Sequence, residues 1–251
     1  MCTSIILFRK NNLWPVIIGT NRDEKLDRKS LFPNRHWKKK YPKIVGGKDL
    51  KKNGSWIGVN DFGITAIIHN RKHNKEFVKK KNSRGNIILE TLRHSSIKKA
   101  LNYISSIDKN NYNSFNLLVA AYNECYWIKH DIKVKNLLIK KLDEGLSVIT
   151  DKDLNDRENK KINYYYKLFS DSKIPNPSNN DWNDWIKNLT NTQINQLKDN
   201  EKICFINEKI NYGTRSSSLI SLPNRQINNK NIVFKSTNSF PTKESYIDII
   251  F

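Results

Sequence analysis

The sequence predicts an α+β fold in which stacked β-sheets are covered by helices. Short apolar or alternating runs pair across polar turns and read as successive β-hairpins. Helical periodicity falls between these pairs, the pattern expected when helices cover sheets. With 251 residues, 37% of them hydrophobic, the chain can bury one large core, and no linker-like stretch interrupts it. A single domain spanning residues 1–251 is expected.

Taken in order, Thr3 to Arg9 and Trp14 to Thr20 are strands around the polar turn Lys10-Asn11-Asn12, an N-terminal hairpin that puts Cys2 at a strand end. Ser55 to Asn60 and Ile64 to His69 pair around Asp61-Phe62-Gly63, and Phe115 to Tyr122 pairs with Tyr126 to Lys129 around Asn123-Glu124. Helical patterns occupy Arg84 to His94, Ile97 to Ile107 and Leu154 to Phe169, the last opened by Asp153 or Asn155 as N-cap. Further strands are predicted at Leu146 to Thr150, Ser216 to Leu222, Ile232 to Lys235 and Tyr246 to Phe251. Five of the nine glycines, Gly46, Gly47, Gly54, Gly58 and Gly63, crowd into one stretch. Gly46 and Gly63 read as turn residues, and Gly54 and Gly58, flanking Trp56, as a pocket wall or a bulge.

Several classes are set aside. No apolar run reaches membrane-span length, and Met1-Cys2-Thr3-Ser4 has no basic stretch ahead of a signal-type core, so a cytoplasmic location is expected. Three widely spaced cysteines, Cys2, Cys125 and Cys204, form neither a disulfide framework nor a zinc pattern. The net charge of +21 is spread along the chain, with short runs only at Lys38-Lys39-Lys40 and Lys79-Lys80-Lys81, in a composition rich in Asn, Ile and Lys. Nucleic acid is therefore not the expected partner, although such charge can steer an anionic ligand. His36, His69, His73, His94 and His130 form no HExxH set, and no protein-built metal site or resident cofactor is expected. Trp182 and Trp185, at i, i+3 spacing, read as core packing, as does Tyr164-Tyr165-Tyr166 on an amphipathic helix.

The most informative residue is Cys2. Removal of Met1 would leave one residue carrying both a thiol and a free α-amine, whose ordinary pKa of about 7.7–8 lets it accept the thiol proton near neutral pH. Met1-Cys2-Thr3, Asn21-Arg22-Asp23-Glu24, Gly46-Gly47-Lys48-Asp49-Leu50, Ser55-Trp56-Ile57-Gly58-Val59-Asn60, Ser83-Arg84-Gly85 and Gly213-Thr214-Arg215-Ser216-Ser217 follow one another along the chain. In this order they resemble the NRDE family, which contains the transport and Golgi organization 2 homologs. That family is in turn similar to N-terminal-nucleophile hydrolases with an N-terminal Cys, such as penicillin V acylase and bile salt hydrolase. The resemblance implies a four-layer αββα sandwich.

The resemblance also implies roles. Cys2 matches the nucleophile, and Asp23 the aspartate that holds the α-amine. Asn70 lies where an oxyanion-stabilising asparagine is found. Asp151 stands where those enzymes carry the asparagine of a Thr-Asn pair; an ionised aspartate only accepts hydrogen bonds, so it is expected to orient another group. Arg215 matches a late arginine lining the site. Asn21, Arg22, Trp56 and His69 are expected to contact substrate. The family's arginine ahead of the Asn-x-Asp segment is replaced by Thr20. Arg22 then has two readings: it faces the nucleophile and lowers the thiol pKa, or it points to the opposite face and pairs with Glu24 or Asp49. Two function classes follow. One is an amidohydrolase or thioesterase-like enzyme acting on a small acyl substrate through Cys2. The other is a carrier for haem or acyl-CoA, with Arg215 and nearby lysines on the ligand's carboxylate or phosphate.

Overall fold

The computed structural model describes residues 1–71, 82–227 and 230–251; His73 and Lys79-Lys80-Lys81 lie outside them. The elements, in chain order, are β1 (Thr3–Phe8), β2 (Val16–Lys25), β3 (Ser30–Asn34), β4 (Ile44–Asp49), β5 (Ile57–Asn60), β6 (Thr65–Asn70), α1 (Gly85–Leu92), α2 (Ile97–Ser106), β7 (Phe115–Ala121), β8 (Glu124–His130), β9 (Leu138–Lys141), β10 (Gly145–Ile149), α3 (Lys160–Ser170), α4 (Asn183–Leu189), β11 (Ile206–Asn207), β12 (Tyr212–Leu222), β13 (Val233–Thr237) and β14 (Tyr246–Asp248). They form two compact units, Met1–Arg28 with Asp143–Ile250, and Lys29–Leu142 with Phe251. Each unit holds one antiparallel sheet, ordered β10-β1-β2-β12-β13-β14 with β11 on β12 in the first, and β3-β4-β5-β6-β7-β8-β9 in the second. Among the described residues no helix is long and apolar enough to cross a membrane.

In the first unit the odd-numbered residues Ile5, Leu7, Ile17 and Leu219 join Tyr165, Phe169, Trp185 and Leu189 of α3 and α4 in one core. Period-two alternation on the strands thus meets the apolar stripe of two helices. Trp182 and Trp185 are buried there, as core packing requires. Gly19 lets α4 approach β2: a Cβ at this position would stand 2.9 Å from Leu189 Cδ1 and 3.0 Å from Trp185 Cε3. The other face of this sheet is apolar at one end, with buried Ile6, Phe8, Val16 and Ile18, and hydroxyl-rich at the other, with buried Ser4, Thr20, Ser218 and Ser236. Ser4 Oγ donates to Thr20 Oγ1 at 2.7 Å, and Ser218 and Ser236 share a 2.9 Å bond.

In the second unit α1 packs on its sheet through Ile87, Ile88 and Leu92, together with Ala66, Leu117 and Val119. The glycines flanking Trp56 serve this packing and are neither pocket wall nor bulge. A Cβ on Gly54 would come within 2.6 Å of the Gly85 carbonyl carbon, and one on Gly58 within 2.8 Å of Leu92 Cδ1. Asn60 completes the arrangement, its amide donating to Leu92 O at 2.7 Å and His94 O at 2.9 Å beyond the end of α1. Much of the Ser55–Asn60 and Ser83–Gly85 signal is therefore structural. Gly63 takes the turn conformation expected of it, with φ +83, whereas Gly46 lies inside β4.

Three differences from the sequence reading bear on the site. First, β2 continues past Thr20 to Lys25, because β12 pairs with it from Leu222 back to Tyr212. Asn21-Arg22-Asp23 is therefore strand. Second, α3 begins at Lys160 with Asn159 as N-cap, its side chain accepting from Ile162 N. Asn155, expected as a cap, instead adopts positive φ and receives Val148 N–H at 2.7 Å, tying down β10. Third, β3, β4, β9 and α4 had no counterpart in the strand and helix assignments from sequence.

Candidate active site

Cys2 lies just before β1, beside β2, which continues past it to Lys25, whereas β10 ends at Ile149. Thr3 pairs with Asn21 on one side, and Ser4 with Ile149 on the other. Continuing the β1–β2 register puts Cys2 opposite Arg22, and Asp151 follows just beyond the end of β10. Opposed residues of an antiparallel pair share a face, so Arg22 is on the Cys2 side of the sheet. Its positive charge is one of the influences lowering the thiol pKa. Thr20 and Arg22 are two residues apart on β2, so Arg22 alternates back to the face of Thr20.

The Cys2 sulfur is held by the backbone of Asp23, whose N–H donates to Sγ at 3.2 Å while the thiol donates to the Asp23 carbonyl at 3.4 Å. The Asp23 carboxylate is fully buried. Its Oδ2 pairs with the N-terminal ammonium of Met1 at 2.9 Å, and its Oδ1 accepts from Thr214 Oγ1 at 2.8 Å. Thr214 Oγ1 also accepts Phe205 N–H at 3.1 Å, so one hydroxyl fixes both the carboxylate and the segment before β11. Tyr212 Oη donates to the Asp23 carbonyl at 3.1 Å, and its own pKa is raised, chiefly by burial. We expect Thr214→Val to cost about 1–3 kcal/mol in urea unfolding, the scale for leaving buried polar groups unpaired.

Lys161, in the first turn of α3, is the residue that sequence reading missed. It is only 6% exposed, and its Nζ donates to the Met1 carbonyl oxygen at 2.9 Å and reaches the Lys202 carbonyl at 3.5 Å. Thr3 Oγ1 donates to the same Met1 oxygen at 3.4 Å. Burial lowers the Lys161 pKa, opposed by the charges of Asp23 and Asp151. The missed signal was positional: Lys161 falls four residues before Tyr165 and eight before Phe169, on the buried stripe of its helix.

Arg215 is the extra residue of a β-bulge. Thr214 opposes Asp23 and Ser216 opposes Arg22, which leaves Arg215 between them without a cross-strand partner. Bulges re-aim side chains and concentrate beside functional sites. The buried Arg215 Nε has no hydrogen-bond partner among the described residues.

The first unit thus gathers Cys2, Arg22, Asp23, Asp151, Arg215 and Lys161 around the ends of β1, β2, β10 and β12. Asn21, expected to contact substrate, is corrected to a strut: it is fully buried, and its amide nitrogen donates to Leu189 O at 2.8 Å and Ile203 O at 2.9 Å. Asn70, His69 and Trp56 belong to the second unit, where Asn70 is the exposed last residue of β6 and His69 is buried beside it. The two other thiols are inert by environment; burial raises the pKa of both, that of Cys204 to about 12.

Burial is also the largest influence on Cys2 and raises its thiol pKa, reinforced by Asp23 and opposed by the N-terminal ammonium and Arg22. The thiolate is the nucleophile. Iodoacetamide alkylation of the Met1-bearing chain should therefore climb about tenfold per unit from about pH 7 to 9 without levelling off. A plateau below about pH 8 would contradict this environment.

The chain is similar in structure to an N-acylethanolamine-hydrolyzing acid amidase ortholog of Caenorhabditis elegans, with 14% identity and TM-score 0.62 over 99% of this chain and 100% of that one. A variant of conjugated bile acid hydrolase from Clostridium perfringens matches with 13% identity and TM-score 0.55 over 99% and 92% of the two chains. Penicillin V acylase from Agrobacterium tumefaciens matches with 13% identity and TM-score 0.51 over 94% and 83%. These likenesses give the fold, that of N-terminal-nucleophile hydrolases. No curated protein sequence matches the chain. The family model described as Transport and Golgi organisation 2 matches residues 1–234, and the chain belongs to that family.

Proposed function

We propose that this protein, once Met1 is removed, is an N-terminal-nucleophile amidohydrolase or thioesterase acting on a small acyl substrate through the Cys2 thiol. The observation that carries the reading is the double use of Asp23, whose buried carboxylate binds the chain's terminal ammonium at 2.9 Å while its N–H supports the Cys2 sulfur at 3.2 Å. Loss of Met1 frees that carboxylate for the new α-amine of Cys2. The amine takes the thiol proton, and the thiolate attacks the acyl carbonyl carbon. The tetrahedral intermediate then collapses, and the leaving amine or thiol departs with the proton from the ammonium. Water hydrolyses the resulting thioester by the same steps.

Asp151, whose charge reaches Lys161, orients the groups around Cys2. Turnover of a panel of N-acyl amides and acyl thioesters by protein beginning at Cys2 tests the reading, and absence of turnover across the panel refutes it.

A carrier reading has one observation in its favour, the guanidinium of Arg215 presented by a bulge, its buried Nε without a hydrogen-bond partner among the described residues. A carrier would hold haem or acyl-CoA through that charge and would keep its affinity in Cys2→Ala. Saturable binding without any acyl adduct would select it.

A further inference from the structure

The Met1 carbonyl marks a place where two hydrogen-bond donors converge one residue from the nucleophile. One is the ammonium of Lys161 at 2.9 Å and the other the hydroxyl of Thr3 at 3.4 Å. Both side chains are buried, Lys161 at 6% exposure and Thr3 at 0%. An amine inside a core is costly unless its hydrogen bonds are met. Removal of Met1 takes away the nearer of the two carbonyl acceptors on Nζ and leaves the Lys202 oxygen at 3.5 Å. The covalent chain also fixes how close this place is to the sulfur. The Met1 carbonyl carbon is joined to Sγ through the Cys2 nitrogen, Cα and Cβ, the spacing of a five-membered ring. A carbonyl group bound where that of Met1 lies is therefore within reach of the thiolate.

We infer that Lys161 and Thr3 form the binding site for the substrate's acyl oxygen, which takes the place that the Met1 carbonyl oxygen occupies before processing. The inference rests on the acyl-transfer reading and names the groups that hold the reacting carbonyl. When Sγ bonds to the carbonyl carbon, the C=O π pair moves onto oxygen, and the oxyanion is held by Nζ–H and Oγ–H, which both keep their protons. Collapse restores C=O, breaks the bond to the leaving amine or thiol, and leaves the thioester. Attack of water passes through an oxyanion on the same two donors and releases the carboxylic acid. The lowered pKa of Lys161 suits this role, because a poorly solvated ammonium gains most from an anionic partner. A substrate with a carbonyl or thioester oxygen at the scissile position fits the site.

The test compares two reactions of the same sulfur in protein beginning at Cys2. Acylation by p-nitrophenyl acetate and by an octanoyl thioester builds an oxyanion, whereas alkylation by iodoacetamide displaces iodide without one. Lys161→Met should slow acylation by about 10²–10³-fold, the usual loss for an oxyanion donor, with alkylation within about threefold of wild type. Lys161→Gln, which keeps a neutral N–H, should fall between the two and also covers the case that the Met variant does not fold. Unchanged acylation in a folded Lys161 variant would overturn the inference. So would equal losses in acylation and alkylation, which would make Lys161 a support of the thiol instead of the oxygen site. If wild type itself forms no acyl adduct, the acyl-transfer reading fails and this inference fails with it, a result seen without any variant.

Discussion

Cys2→Ala is expected to abolish the acyl adduct and to lower turnover by at least about 10⁴-fold, on the scale seen when an activated nucleophile is deleted. The loss is large because the proposed chemistry has no second route. Cys204 and Cys125 are buried with raised thiol pKa values, so neither can stand in. Little structural change should accompany it, since among the described residues the Cys2 side chain makes two hydrogen bonds, both to the Asp23 backbone. Thermal melts of variant and wild type should agree within a few degrees, while stopped assays separate them completely. Hydrolysis persisting in Cys2→Ala would refute the mechanism.

A chain with residues retained ahead of Cys2 is expected to be nearly as inactive as Cys2→Ala, slower than the processed protein by about 10³–10⁴-fold. Two effects combine. The Cys2 nitrogen remains an amide and cannot take a proton, which removes a general base of the kind that contributes about 10²–10⁴-fold. The thiol also stays in the environment that raises its pKa, with burial foremost and Asp23 second. The N-terminal ammonium of Met1 is bound by Asp23 at 2.9 Å, so it occupies the carboxylate that the Cys2 amine requires. Intact mass of each preparation, measured beside its rate, would show activity appearing only in the species that begins at Cys2.

The parts of the fold legible in the sequence are those fixed by local pattern. β1, β5 with β6, and β7 with β8 were readable because apolar alternation brackets short polar turns, as at Asp61-Phe62-Gly63. The elements that escaped are held by distant partners. Asn21-Arg22-Asp23-Glu24 has the composition of a turn, yet it runs as strand because β12 pairs with it on both sides of the bulge at Arg215. β4 reads Ile44-Val45-Gly46-Gly47, and glycine weakens any strand signal. β3 carries Pro33 and an irregular register with β4. Asn155 looked like a helix cap because cap and turn chemistry draw on the same side chain.

The candidate site divides the same way. Cys2, Asp23 and Arg215 were readable from motifs, and the structure adds what spacing could not: the bulge at Arg215, the hydroxyl of Thr214 on Asp23, and the buried ammonium of Lys161. A lysine in a polar stretch of sequence is normally a surface residue. Only its alignment with Tyr165 and Phe169 distinguishes Lys161 from the lysines around it.

Covalent acylation of the processed Cys2 sulfur is the step on which the proposed hydrolysis depends. Its most direct measurement is acid quenching of protein beginning at Cys2 during turnover of an N-acyl amide or acyl thioester, followed by mass spectrometry of the N-terminal peptide. The expected result is the mass of one acyl group, located on Cys2 by fragmentation, removed by neutral hydroxylamine as a thioester should be, and absent from Cys2→Ala. Turnover with the acyl mass on another residue, or with no acylated species at any quench time, would contradict it.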